Sequence, residues 1–153
     1  MKILVTAGTT PFDSLFAHLD KLTAKFPHMA FIGQVGNGDY TPQTFPSFNF
    51  TPEFTQQIAS ADAVITHAGA GTVYDLLEQG KRCIVIANLE RKDKHQLEIT
   101  RYVSDSGYAL ARTDLADLEE LLKRLETFAP AGYEKTDFFL ADEIYQKLVG
   151  SLR

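Results

Sequence analysis

A single cysteine, Cys83, is all the thiol chemistry this chain has. That excludes an internal disulfide and a multi-cysteine metal site, and it suits a reducing compartment such as the cytoplasm. No apolar run approaches the roughly 18–20 residues of a membrane-spanning helix. The opening run Met1-Lys2-Ile3-Leu4-Val5-Thr6 is too short for a signal peptide and leads at once into glycine and threonines. Membrane association is therefore expected only through a partner. Positive charge is also scarce: 15 Lys and Arg against 20 Asp and Glu give a formal net charge of −5, which argues against a nucleic-acid partner held by the overall field. Arg91, Lys92 and Lys94 form a basic cluster that either meets phosphates or is a solvated loop. Several catalytic signatures are missing as well. No Walker lysine follows Gly8-Thr9-Thr10, and no complete GxGxxG follows the first strand pattern. His67 and His95 have no HExxH or cysteine partner, so no metal is expected.

What is present is a core and an alternating pattern. At 153 residues with 44% hydrophobic residues, the chain has the length and apolar content of one domain, expected to span residues 1–153. Strand patterns at residues 2–7, 29–34, 47–50, 63–66, 83–87 and 108–111 are separated by helix patterns at 14–26, 51–60, 72–79, 95–106 and 114–128, and a last helix is expected at 138–152. In the first helix Leu15, Phe16, Leu19 and Leu22 share one face. Pro52 suits an early helical position, Gly80 a left-handed helix cap, and Cys83, ahead of Ile84-Val85-Ile86, a buried strand. This alternation predicts an α/β fold, a Rossmann-like parallel sheet with helices on both faces.

In such sheets ligands sit outside the carboxyl ends of the strands. The functional residue types fall in those turns: Gly8-Thr9-Thr10 after the first strand, His67 to Thr72 after the fourth, and residues 88–96 after the fifth. The fourth is the most informative. A buried strand runs into His67-Ala68-Gly69-Ala70-Gly71-Thr72, where the glycines let backbone approach a ligand and Thr72 is placed to cap the next helix. The N–H groups and positive dipole end of that helix favour a phosphate, and Asp75, one turn in, is placed to accept from a ribose diol. A plain strand-to-helix turn would account for the same glycines. For His67 a buried imidazole and a direct ligand contact are both open.

Taken together, Val5-Thr6-Ala7-Gly8-Thr9-Thr10-Pro11-Phe12-Asp13, His67-Ala68-Gly69-Ala70-Gly71-Thr72, Gly80-Lys81 and His95-Gln96-Leu97-Glu98 resemble the small glycosyltransferase family 28 C-terminal-domain proteins. These include the soluble donor-binding subunit of the dolichol-linked N-acetylglucosaminyltransferase and bacterial capsule and exopolysaccharide subunits. The resemblance covers nearly the whole chain and implies the C-terminal, donor half of a GT-B glycosyltransferase, with a UDP-sugar as donor substrate and no required cofactor. It implies that Gly8, Thr9 and Thr10 with Gly69, Ala70, Gly71 and Thr72 cradle the diphosphate. Phe50 and Thr51 would hold uracil, and Asp75, where relatives usually have glutamate, would hold the ribose. His95 and Gln96 would meet the sugar or diphosphate as the catalytic pair, and Glu98 belongs to the same motif without an assigned role.

The resemblance further implies a membrane-anchored acceptor-binding subunit that holds a lipid-linked glycan acceptor, supplies the general base and recruits this chain to the cytoplasmic face of the membrane. Phe45, Phe48, Phe138, Phe139 and Tyr145 are interface candidates for that partner, with the domain's own core as the alternative for each. Two other functions stay open: a stand-alone transferase taking its base from Asp13, His18 or His67, and a non-catalytic accessory protein.

Overall fold

The structure, a computed structural model, describes residues 1–90 and 95–135. Six parallel strands form one sheet: β1 (Lys2–Thr6), β2 (Ala30–Gln34), β3 (Ser47–Phe48), β4 (Ala63–His67), β5 (Arg82–Ile86) and β6 (Leu110–Arg112), in spatial order β3-β2-β1-β4-β5-β6. The helices are α1 (Asp13–Leu22), α2 (Phe54–Ser60), α3 (Ala70–Glu78), α4 (His95–Asp105) and α5 (Leu118–Leu125). The pattern of alternate residues builds two cores. Ile3, Val5, Ile65, Ile84 and Ile86 meet the apolar faces of α1 and α5, whereas Leu4, Val64, Cys83 and Val85 meet α2, α3 and α4. Continuous β-branched runs buried on both faces are what a central parallel sheet requires. The strand order reverses direction between β1 and β4, and the crevice at that switch point is where doubly wound sheets bind ligands.

Boundaries move where local chemistry overrides periodicity. The first helix, expected to reach residue 26, ends at Leu22 and tightens into a 3₁₀ turn over Thr23–Lys25. The helix expected from Thr51 begins at Phe54, because Thr51 Oγ1 accepts from the Glu53 N–H at 3.2 Å and holds residues 51–53 in a turn, with Pro52 outside the helix. The helix expected over 114–128 is a 3₁₀ turn, Leu115–Asp117, followed by α5, with the Asp114 side chain accepting from the Ala116 N–H. Gly80 behaves as expected: at φ +61° it ends α3, its N–H bonding to the Leu77 carbonyl and that of Lys81 to the Leu76 carbonyl.

The aromatic surface is corrected in part. Phe45 is buried in the first core, its ring tilted against that of Phe31 at 5.9 Å, and the partly buried Phe48 packs against the second core, so the domain's own core claims Phe45 wholly and Phe48 in part. Phe138, Phe139, Tyr145 and the expected terminal helix lie outside the described residues, as do Arg91, Lys92 and Lys94. Among the described residues no helix is long and apolar enough to cross a membrane.

Candidate functional site

The turns after β1 and β4 meet at the switch point. They line a cleft of about 400 Å³ with Gly8, Thr9, His67, Gly69, Ala70, Gly71 and Thr72, closed on the far side by Gln34, Phe50 and Phe54. The parallel register explains the convergence: Thr6, Gln34 and Thr66 lie side by side at the strand ends, so the chain leaves β1, β2 and β4 at one level.

The β4 turn is built around His67. Its imidazole, 7% exposed, lies against both glycine turns: a Cβ at Gly8 would sit 3.3 Å from His67 Cε1, and one at Gly69 2.8 Å from the same atom. His67 is therefore buried, and it also lines the cleft. Gly69 is the N-cap of α3. The first intrahelical bond runs from the Val73 N–H to the Gly69 carbonyl, so the N–H groups of Ala70, Gly71 and Thr72 have no intrahelical acceptor and face the cleft end of the helix. Thr72, expected as the cap, is the third helical residue instead. Helix formation starts two residues earlier because the extended Gly69 backbone, at ψ 123°, completes the turn without a side-chain cap. Among the described residues a Cβ at Gly71 would meet nothing within 4 Å, which leaves open space above the first turn.

The β1 turn contributes less than its glycine promises. The Gly8 N–H donates to Thr6 Oγ1 at 3.1 Å, and the Thr10 N–H donates to the Ala7 carbonyl. Both N–H groups are consumed by the turn, and of its two threonines Thr9 lines the cleft and Thr10 does not. Phe50 is 50% exposed on the opposite wall, and Thr51 sits behind it in the turn before α2. Asp75 is exposed one turn beyond Gly71 and Thr72 on the same helical face, outside the cleft lining.

The expected His95-Gln96 pair is split. His95 points outward with its side chain 84% exposed, its Nδ1 3.5 Å from Glu98 Oε2. Gln96 points inward at 5% exposure, and its Oε1 accepts from the Asn88 N–H at 2.8 Å. Gln96 was expected to face the crevice; a buried backbone N–H claims its oxygen first. Asn88, not singled out by sequence, is fully buried and donates its side-chain amide to the Pro11 carbonyl at 2.9 Å, tying the β5 turn to the β1 turn. An asparagine right after a buried strand is the signal that could have found it. Asp13, an alternative base, is committed elsewhere: its carboxylate accepts from the N–H groups of Asp39 and Tyr40. His18 lies on α1 and does not line the cleft.

Six parallel strands in doubly wound order, with a switch-point cleft edged by a helix N-terminus, make a Rossmann-like α/β fold. Solved structures share that fold: Acinetobacter baumannii MurG superposes with a TM-score of 0.67 at 19% identity, over 82% of this chain and 41% of that one. The NMR structure of ALG13 gives 0.59 at 19% identity, over 97% and 94%. Residues 2–146 match the glycosyltransferase family 28 C-terminal domain, and the chain belongs to that family. Human (Homo sapiens) UDP-N-acetylglucosamine transferase subunit ALG13 is 34% identical over 119 residues, 69% of this chain and 10% of the human protein. The Yarrowia lipolytica subunit of the same name is 25% identical over 130 residues, 73% of this chain and 64% of its own length. The chain thus spans a tenth of the first relative and under two thirds of the second.

Proposed function

We propose that this chain, as a single domain over residues 1–153, is the donor-binding subunit of a two-component UDP-sugar glycosyltransferase. The observation that carries the reading is the convergence of the α3 N-terminal N–H groups, Thr9 and an exposed phenylalanine on one cleft at the switch point. The printed names of the relatives make UDP-N-acetylglucosamine the first donor to test.

In the transfer, the acceptor oxygen bonds to the anomeric carbon while the bond from that carbon to the diphosphate oxygen breaks. Negative charge then develops on departing UDP. The N–H groups of Ala70, Gly71 and Thr72 and the helix dipole stabilise that charge in place, with no metal required. Asp75 takes the ribose hydroxyls and Phe50 the face of the base. His95, exposed at the start of α4, assists the leaving diphosphate, and Gln96 fixes the turn that carries it.

The proton of the acceptor hydroxyl needs a base. Asp13 is occupied by backbone N–H groups, which favours a base in a partner. The partner in this proposal is a membrane-anchored subunit that holds a lipid-linked glycan and brings the chain to the cytoplasmic leaflet. Capsule or exopolysaccharide glycan is the acceptor context proposed, on the motif resemblance alone.

Calorimetric titration of the purified chain with UDP, with ADP as control, tests the site. Selective UDP binding is expected, and sugar transfer only with the partner co-expressed. Transfer by the chain alone would replace the two-component reading with a stand-alone enzyme. Absence of UDP binding, alone and in the complex, would leave an accessory protein.

A further inference from the structure

Gln34 closes β2 and lines the cleft, yet it is only 5% exposed. Its orientation is set by a relay. The Gly8 N–H donates to Thr6 Oγ1 at 3.1 Å, and the Thr6 hydroxyl, having accepted that bond, donates to Gln34 Oε1 at 2.9 Å. The amide oxygen is thereby turned toward β1, and the NH₂ group, which makes no hydrogen bond among the described residues, is left to the cleft. The relay fixes the oxygen and leaves the NH₂ group to the cleft, so a ligand oxygen there would meet a donor that is already oriented.

The sheet order shows which part of a ligand that oxygen belongs to. Along the carboxyl edge the α3 N-terminus follows β4, Gly8-Thr9 follows β1, Gln34 ends β2, and Phe50 and Phe54 follow β3. A diphosphate on the α3 N-terminus sends the rest of a nucleotide outward past β1 toward β2 and β3. There Phe50, half exposed, offers a ring face, and bases stack on such faces whatever their identity. Stacking cannot tell one pyrimidine from another; a fixed hydrogen-bond donor beside it can. We propose that Gln34 is the specificity-determining residue of the cleft, its Nε2 donating to a carbonyl on the base edge and so selecting uracil over cytosine, whose corresponding group is an amine. This rests on the nucleotide reading above and adds the element that chooses the base.

The test is a titration of the full-length chain and of Gln34→Met with UDP and CDP, which differ in that base substituent. Methionine keeps the volume and removes the donor. The unaltered chain is expected to prefer UDP, and Gln34→Met to bind UDP about tenfold more weakly with CDP binding unchanged, so that the preference disappears. An equal loss for both nucleotides, or no loss for either, would overturn the proposal. Gln34→Glu, of the same shape with an acceptor in place of the donor, is expected to favour CDP; retained UDP preference in that variant also overturns it. Melting temperatures of both variants verify the fold. Failure of the unaltered chain to bind UDP needs no variant to detect, so it separates loss of the nucleotide reading from loss of the Gln34 assignment.

Discussion

Two clefts open on the carboxyl edge of the sheet, and the larger is the one walled by carboxylates. The cleft beside β5 and β6 measures about 520 Å³ and is lined by Phe12, Ser14, Leu89, Glu90, Thr113, Asp114 and Leu115. The switch-point cleft, at about 400 Å³, is lined by two glycine turns, a helix N-terminus and an amide, with no carboxylate in its wall among the described residues. Size favours the first and electrostatics the second. A diphosphate meets the carboxylates of Glu90 and Asp114 in one and helix N–H groups in the other, and like charges at close range outweigh any gain from volume. Donor direction, rather than capacity, marks the site.

The largest effect should come from removing a ligand contact on the favoured side. Asp75→Ala is expected to weaken UDP binding by about 1.5–3 kcal/mol, the usual worth of a hydrogen bond to a charged group, with little change in melting temperature because Asp75 is exposed. Its counterpart in the other cleft, Glu90→Gln, should leave UDP affinity unchanged. If Glu90→Gln weakens UDP and Asp75→Ala does not, the two clefts have been assigned the wrong way round.

Gln96→Ala comes next. It removes the acceptor of the buried Asn88 N–H, and an orphaned buried donor costs about 1–3 kcal/mol of stability. UDP affinity should hold while turnover of the reconstituted pair falls, because the β5 turn that carries His95 loosens. Unchanged stability and turnover together would make Gln96 a bystander.

A smaller and cleaner probe is Gly71→Ala. The added methyl meets no atom of the described residues within 4 Å, and alanine is favoured over glycine in a helix by roughly 0.5–1 kcal/mol. The variant should therefore melt higher yet bind UDP about tenfold more weakly, since the space it fills is the ligand's. A thermal shift upward with affinity intact would show that nothing approaches that turn.

Much of this contrast was legible in the sequence. The β4 segment, a buried strand running into His67 and two glycines, announced a cleft-facing helix start; of the three turns expected to converge, those after β1 and β4 meet at one cleft, while Ala87, Leu89 and Glu90 of the β5 turn line the other. The strands and the Gly80 cap followed from local pattern, because period and backbone conformation are local properties. What escaped detection was the direction of single polar groups. Gly8 was expected in the diphosphate cradle; it lines the cleft, but its N–H is taken by the Thr6 hydroxyl, two residues away. Gln96 read as facing the ligand, but a buried N–H eight residues earlier holds it. Gln34 was not singled out at all, since its meaning depends on a hydroxyl on a neighbouring strand. Hydrogen-bond competition across strands is a tertiary property that no spacing rule encodes.

The smallest expected effect separates the clefts by acid. The outer wall of the switch-point cleft hangs on Asp20 of α1, whose carboxylate accepts from the Tyr40 hydroxyl and the Thr44 hydroxyl at 2.6 Å each, from the Gln43 N–H at 2.8 Å and from the Thr44 N–H at 3.0 Å. Partial burial pushes this carboxyl up, but the bonds from Thr44, Tyr40 and Gln43 together outweigh it and hold it below its ordinary value of 3.8. A carboxylate depressed in the folded state contributes stability that is full above its unfolded value and is lost as pH falls through the folded one. Residues 39–44 lead directly into β3 and Phe50, so the cleft wall should loosen as pH falls below about 4 while remaining intact at neutral pH. Glu119, held down to about 2 by hydrogen bonds from Lys123 and Lys25, loses its contribution across a similar range at the far side of the molecule. Asp20→Asn distinguishes the two. In that variant amide-exchange protection of residues 39–50 should be lower at neutral pH and nearly flat down to pH about 3, whereas protection around α5 should fall with acid as before. If residues 39–50 still lose protection with acid in Asp20→Asn, the wall of the cleft is held by something other than that carboxylate.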